Sequence, residues 1–458
     1  MSLIPIILAA GQGTRMRSAL PKVLHPLAGK PLLQHVIDAC GALGATRAVI
    51  VYGHGAEQVQ AAIPAVTGFQ LDWALQAEQK GTGHAVAQGM GDIADDDTVL
   101  VAYGDVPLVR PQTLKALAQG LEGAALCVLT AEVADPKGYG RLVRNAAGQV
   151  QAIVEEKDAD AATRLIREIN TGFIAARGAD LKRWLAHLSP QNAQGEYYLT
   201  DCVGLAVAEG LAVNTVPCAD ALEVEGVNNR VQLARLEREA QRRQVETLML
   251  AGVTVADPAR LDVRGEVQAG QDVFLDVNVV LNGRVVLGNR VTVEPGCVLT
   301  DVEIGDDCHI HAHSILEAAQ VGPGCHIGPF ARLRPGTVLA AKARVGNFVE
   351  LKKAHIGQGS KVNHLSYIGD TEMGADVNNG AGTITCNYDG VNKHLTRIGD
   401  RVFVGSCSQL VAPVTLEAGA VIGAGSTITQ TAPADKLTLA RARQITINHW
   451  QRPVKEQK

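Results

Sequence analysis

The chain has 458 residues, 47% hydrophobic and 19% charged, which supplies a sizeable core and argues against disorder. Its 42 basic and 47 acidic side chains leave a net charge of −5 and a pI of about 6.2, so no basic excess points to nucleic acid as a partner. No run reaches the ~18–20 consecutive apolar residues of a membrane span, and nine scattered cysteines without CxxC pairs fit a reducing, cytoplasmic setting.

In chain order, MSLIPIILAAGQG lacks a basic leader region and reads as a first buried strand running into a glycine loop, not as a signal peptide. From Leu3 to about Pro217, short apolar runs (PIILAA, RAVIVYG, TVLVAYGD, ALCVLTAEV) alternate with helical patterns (PLLQHVIDACGALG, GTGHAVAQGM, PQTLKALAQGL). Strands alternating with helices imply an α/β domain with a mostly parallel sheet covered on both faces. Ligands of such sheets sit beyond the carboxyl ends of the strands. In LAAGQGTRM, Gly11 and Gly13 let the backbone approach a phosphate chain. Met16 stands where a dinucleotide fingerprint needs its third glycine, and a Walker GK[ST] is missing.

Residues 228–250 form one long helical pattern with Val231, Leu233, Leu236, Val245, Leu248 and Leu250 among many Arg, Glu and Gln. It reads as a solvated arm between two domains. The expected division is 1–230, an arm over 231–251, and 252–458.

Past residue 260 the aliphatic period becomes six: Leu275, Leu281, Leu287, Val293, Leu299; Ile304, Ile310, Leu316; Val321, Ile327, Leu333, Leu339, Val345, Leu351; Ile356, Val362, Ile368. After an interruption, Ile398, Val404, Leu410, Leu416, Ile422 and Ile428 resume it. Hexapeptide repeats of this kind build a parallel β-helix whose aliphatic residues point inward. Steps of five at 299→304, 316→321, 351→356 and 368→Met373 mark expected irregularities, and Asn379 falls in an inward slot where a buried amide must find partners. CHIHAHS (308–314) invites a metal reading, but the histidines of a strand alternate to one face away from Cys308 and no second ligand group follows. It is read as structural.

The loop with LPKVLHPLAGKPLLQHV, and then ALQAEQKGTGHA, YGDVPL, GYGR, IVEEKD, EINTGF and EVEGVNNR, resembles the sugar nucleotidylyltransferases, a Rossmann-like family. The resemblance implies that Leu8, Ala9, Ala10, Gly11, Arg15 and Lys22 hold a nucleoside triphosphate, with Tyr103 and Gly104 beside them. It implies that Gln76, Gly81 and Thr82 read uracil, and that Gly140, Glu155, Asn170 and Asn228 contact N-acetylglucosamine. Asp105 and Asn228 would ligate Mg²⁺, consistent with a hard carboxylate at a strand end. Attack of a sugar phosphate on an α-phosphorus gathers negative charge, which cations must neutralise.

RLRPG, VELKKAHIGQGSKVNHLSYIGD and NNGAGTITCNYDG resemble the hexapeptide-repeat acetyltransferases, whose prisms are left-handed β-helices. His364 is the candidate base for amine deprotonation, because its ordinary pKa lies near the working pH. Glu350 would orient or polarise it. By resemblance Arg334, Lys352, Tyr367 and Asn378 hold the sugar phosphate acceptor, and Ala381, Asn387, Tyr388, Ser406, Ala424 and Arg441 line an acetyl-CoA groove. Family members assemble as trimers with acyl sites between subunits. The resemblance thus implies acetylation of glucosamine-1-phosphate, then Mg²⁺-dependent coupling of N-acetylglucosamine-1-phosphate to UTP with release of pyrophosphate. The alternatives are a single nucleotidylyltransferase with an assembly or regulatory β-helix, and a non-enzymatic scaffold that binds sugar nucleotides.

Overall fold

The computed structural model describes residues 2–11, 13–53, 56–64 and 68–455, so Gln12 of the glycine loop lies outside the described residues. The chain divides into two compact units, Met1–Ala240 and Gln241–Lys458.

The first unit is built on a nine-stranded sheet: β1 (Leu3–Leu8), β2 (Arg47–Tyr52), β3 (Gln70–Leu75), β4 (Thr98–Tyr103), β5 (Leu126–Glu132), β6 (Arg141–Arg144), β7 (Val150–Val154), β8 (Glu168–Arg177) and β9 (Val213–Cys218). Its main path runs β9-β5-β8-β4-β1-β2-β3. The period of two sends Ile4, Ile6 and Leu8 into one apolar layer and Ile7 into the other. Helices α1 (Leu32–Gly41) and α2 (Pro111–Gln119) cover one face through Val36, Ile37, Leu114 and Leu117. Val86 of the Thr82–Gly89 helix and Trp184 of the Gly178–Leu185 helix cover the other.

β4, β1, β2 and β3 are parallel, as alternation predicts. The sheet is mixed beyond them, because β8 lies antiparallel between β4 and β5 and the hairpin β6–β7 joins its edge. A hairpin needs only a turn where a parallel neighbour needs a crossover helix, and residues 133–167 carry no helical period. β8 shifts register between Asn170 and Ile174, a bulge on the strand that bears Asn170.

The long helix spans Arg230–Leu250. Leu236 and Ala240 pack with Met16, Leu27 and Leu32 in the first unit. In the second unit, Gln241 bonds both backbone groups of Val263, at 2.7 and 2.8 Å, and Val245 enters the core. Val231 and Leu250 are 80% and 85% exposed, so the apolar pattern overstated the buried stripe.

The second unit is a parallel β-helix. All of its named strand pairs are parallel, and every aliphatic residue of the six-period is buried. Thr292, His309, His326, Arg344, Lys361 and Asn378 form one ladder, each pairing with the residue 17 or 18 positions on. Each five-residue step contains a left-handed residue: Asp301, Ala318, Lys353 and Asp370, with φ of 50°, 43°, 46° and 45°. One residue fewer turns the same corner more tightly. The interruption is a loop, not a break. Asn379 and Thr385 keep inward positions, paired with Val404 and Leu410, and residues 387–395 lead out of the coil before Thr396 rejoins it.

Asn379 is 4% exposed; its Nδ2 donates to Ser366 Oγ at 3.3 Å, while Oδ1 finds no protein donor. Asn379→Val should therefore change stability by less than about 1 kcal/mol, whereas Val404→Asn on the adjoining coil should cost at least about 2 kcal/mol. Denaturant midpoints of the two variants check this; equal losses would contradict it.

Candidate active sites

The carboxyl ends of β1 and β4 lie side by side, with Gly104 N donating to Leu8 O at 2.9 Å. Beyond them opens a cavity of about 360 Å³ lined by Leu8, Ala9, Ala10, Gly11, Lys22, Val23, Gln76, Gln79, Gly81, Thr82, Ala85, Tyr103, Asp105 and Glu196. Buried Gln76 is oriented by Gly81 O at 3.2 Å and by the His84 ring at 3.1 Å. Gly81 has φ 108°, and a Cβ there would lie 2.6 Å from Tyr197 O, so no larger residue starts this helix without displacing that backbone.

The charged corner draws on three distant segments. Lys22 Nζ forms an ion pair with Asp105 and lies 3.5 Å from Asn228 Oδ1, while Arg15 donates to the same Oδ1 at 3.0 Å. Val227 N donates to Asp105 O at 2.9 Å, which ties the loop before the long helix to the end of β4. Gly13 has φ 62°, and a Cβ there would stand 2.6 Å from Lys22 Cβ. Its missing side chain is what lets Lys22 cross the loop.

A second group adjoins the cavity. Asn170 N donates to Gly140 O at 2.8 Å, and Thr200 Oγ1 donates to Glu155 at 3.0 Å. Tyr103 lies between the two groups: burial, then the charges of Glu155 and Asp105, push its phenol pKa upward. Burial likewise raises the Glu155 carboxyl, reinforced by Asp158, Asp201 and Glu196 and opposed by the Thr200 hydroxyl.

In the β-helix, stacking makes each column from residues one coil apart. Asn347 pairs with His364, and the same register, two positions past the inward residue, continues through Ala381, Ser406 and Ala424. Arg441 closes this column by donating to Ala424 O at 2.6 Å. His364 Nδ1 meets Asn347 Oδ1 at 3.0 Å. An amide oxygen accepts, so Nδ1 is the donor, which in a neutral ring leaves Nε2 as the basic nitrogen. Glu350 does not reach His364; it accepts from Arg334 NH1 at 2.8 Å.

Glu350 and Tyr367 line a groove of about 410 Å³ with Arg332, Phe348 and Ile384. Lys352 is register-equivalent to Arg334, and the out-going loop brings Lys393 against it. Lys393, ahead of Arg334, lowers the Lys352 pKa, and Asp370 opposes the shift. Asn387 is held by Asp370, Tyr388 is 59% exposed on the loop, and Asn378 projects outward beside buried Asn379.

Known proteins match both halves. Residues 5–171 match the MobA-like NTP transferase domain, residues 263–367 the GMPPB C-terminal domain, and residues 395–430 the bacterial transferase hexapeptide with six repeats. The bifunctional protein GlmU of Marinobacter nauticus is 55% identical over 450 residues, covering 98% of each chain. The chain belongs to the bifunctional GlmU family. It is a transferase with a nucleotidyltransferase domain and a hexapeptide acyltransferase domain. A solved structure of UDP-glucose pyrophosphorylase complexed with UDP-glucose is 17% identical, with a TM-score of 0.45, covering 53% of this chain and 100% of that one. No helix among the described residues is long and apolar enough to cross a membrane.

Measured against the GlmU-type sites expected from sequence, the front cavity gathers ten of the named residues directly, with Arg15 and Asn228 attached through side-chain hydrogen bonds. Several participants escaped the sequence reading, among them Val23, Ala85 and Glu196 of the cavity wall. Gln79, which donates to Ala10 O, sat inside a quoted motif without being singled out. Thr200 carried no motif. Asn347 stands 17 residues before His364, a spacing that the coil length would have exposed, and Lys393 lies in the gap of the repeat.

Glu155 yields a signed prediction. An acid whose pKa is raised by folding loses its proton more readily in the unfolded chain, so it weakens the fold above the ordinary glutamate range. Glu155→Gln keeps an acceptor for Thr200 and should raise Tm by about 1–3 °C at neutral pH, with the gain fading below pH ~4. Thermal melts across pH test the sign; a Tm lowered at neutral pH would reverse it.

Proposed function

We propose that this GlmU-family chain makes UDP-N-acetylglucosamine at two separate sites. The rear site transfers acetyl from acetyl-CoA to glucosamine-1-phosphate. The front site then transfers uridylyl from UTP to N-acetylglucosamine-1-phosphate and releases pyrophosphate. The convergence of Arg15, Lys22, Asp105 and Asn228 on one corner of the nucleotide-sized cavity supports this reading most directly.

At the front, Arg15 and Lys22 bind phosphate oxygens and offset the charge gathered as the sugar phosphate attacks. Gln76, Gly81 and Thr82 face the uracil, and Gly140, Glu155 and Asn170 hold the sugar. Asp105 and Asn228 suit a divalent cation, because both present hard oxygens and the Lys22 ammonium already lies against both as a cationic stand-in. Mg²⁺ is the ion proposed, and when bound it supplies charge neutralisation across the phosphates.

At the rear, His364 Nε2 takes the proton from the attacking amine, and Asn347 fixes the ring by accepting from Nδ1. Lys352 and Lys393 are neighbouring like charges, with Arg334 beside them, that a dianionic phosphate would relieve. Tyr367 and Asn378 contact the acceptor sugar, and the column Ala381, Ser406, Ala424 and Arg441, with Asn387 and Tyr388, accommodates acetyl-CoA. Glu350 acts through Arg334 in this reading. The two activities belong to residues 1–230 and 252–458, joined by 231–251, and the enzyme works in the cytoplasm.

The chain is proposed to form a homotrimer. Phe330, Phe348 and Leu365 stack at one corner in left-handed conformations (φ 55°, 55° and 50°) with 48%, 56% and 63% of their surfaces exposed. Bulky residues rarely take this conformation, and a neighbouring copy would cover them. Light scattering should give three times the 48.2 kDa chain mass, and Phe348→Glu should lower it; a monomeric wild type rules this out.

Asp105→Ala should cut UTP-dependent pyrophosphate release at least about a hundredfold and leave CoA release within about twofold. His364→Ala should do the reverse, losing about 10²–10⁴-fold in acetyl transfer. Asn347→Ala should lose less than His364→Ala, mostly in kcat. Paired assays of both activities on each full-length variant decide the matter, since joint loss in either would mean that the sites are not independent.

A further inference from the structure

The histidine segment read as structural is joined by residues from the coils on either side. His309 follows Thr292 and precedes His326 in one parallel ladder, so three successive coils meet there. One ring nitrogen from each of His309, His311 and His326 lies within 4.8 Å of the other two. The His309 and His311 rings stack at 4.1 Å, and the His326 ring stands 6.0 Å from both. Below them Glu294 Oε1 meets His309 Nε2 at 2.7 Å and His311 Nδ1 at 3.1 Å. Its other oxygen accepts from Ala312 N at 2.9 Å, which fixes the carboxylate. His313 is not part of the group: its left-handed backbone (φ 59°) turns the ring onto Phe330, 5.2 Å away. Cys308 is buried inside the prism, as alternation requires.

We propose that His309, His311 and His326 form a site for a borderline-soft divalent transition cation such as Zn²⁺, with Glu294 behind it. The donor set is three imidazoles, which suits that class and not the hard cation proposed for the front unit. Glu294 takes Nε2 of His309 and Nδ1 of His311, so the second nitrogen of each ring is the one assigned to the ion. A carboxylate that holds ligating histidines from behind fixes their tautomer and raises their basicity. The ring of His326 has no hydrogen-bond partner among the described residues, so it approaches with both nitrogens open. Tetrahedral ligation brings nitrogens to about 3.4 Å apart. Turning the rings within their broad χ2 wells closes the remaining distance. The ion would clip two coils together by side chains while Glu294 ties in a third.

The test uses the full-length chain, stripped with a chelator and held in excess Mg²⁺ so that the front site is not in question. Zn²⁺ is titrated by calorimetry against wild type, His309→Ala/His326→Ala, His326→Gln and Glu294→Gln, with acetyl transfer as the control for folding. Wild type should bind one more Zn²⁺ per chain than the double variant, and its Tm should rise on Zn²⁺ addition where the double variant's does not. His326→Gln should bind at least about tenfold more weakly and Glu294→Gln about 10–100-fold more weakly. Equal Zn²⁺ stoichiometry and affinity in wild type and His326→Gln would overturn the proposal, whether or not the double variant folds. It is equally overturned if wild type binds no Zn²⁺.

Discussion

Everything in the second half of the molecule depends on the narrowness of its prism. An interior filled by one aliphatic residue per six leaves no freedom in how successive coils stack, so residues 17 or 18 apart are forced into contact. A side chain on this surface is therefore surrounded less by its sequence neighbours than by its coil equivalents. His364 meets Asn347 one turn back, Arg334 lies a turn below Lys352, and His309 lies a turn below His326. Rigid parallel ladders hold such columns without relying on loops. That is an advantage for any chemistry needing groups at fixed separations.

The first unit meets the same requirement by another route. Residues 15, 22, 105 and 228 belong to segments that share no element, and the sheet's carboxyl edge is where they converge. The close crossing of Lys22 over the loop is possible only because position 13 carries no Cβ. Once there, Lys22 and Arg15 satisfy Asp105 and Asn228, so the corner's polar groups are already partnered, with a positive charge in excess, before any ligand enters. A triphosphate with its cation would exchange these partners for equivalent ones. That keeps the cost of reorganising the site low.

Periodicity made the architecture legible. A period of two made β1 and β4 visible, 3.6 made the Leu32–Gly41 helix visible, and six marked a series of aliphatic residues from Leu275 to Ile428, each of which is buried. What periodicity cannot carry is which strand inserts between which. The antiparallel β8, and the hairpin beside it, were invisible because their residues alternate no differently from parallel ones. Site residues inside continuous motifs, such as Lys22, Asp105 and His364, could be named from the chain alone. Asn347, Lys393 and the union of His309 with Glu294 on one side and His326 on the other could not, because they are neighbours only after the coil has closed. The pairing of Glu350 with Arg334 in place of His364 has the same origin. The two residues are 16 apart and almost one coil, a separation that sequence proximity obscures.

Departures from the hexapeptide rule are not spread evenly along the prism. Asn379 and Thr385 are polar residues at inward positions. Among the described residues, the long excursion from the coil spans residues 387–395. All lie within about 30 residues of His364, and they are mechanically linked: Asn379 Nδ2 donates to Ser366 Oγ, which donates to His364 O. A buried amide with one unmatched oxygen is a poor way to stabilise a core, so its presence under the proposed base has to be weighed against the regular coils elsewhere. Those regular coils include Glu294, His309 and His326, where aliphatic residues and thiols dominate the interior, joined by buried Ser314, and the inward six-period residues are all aliphatic. The prism thus tolerates polar intrusion where an outward loop must be positioned. Where a ladder of outward ligands is enough, its core remains undisturbed.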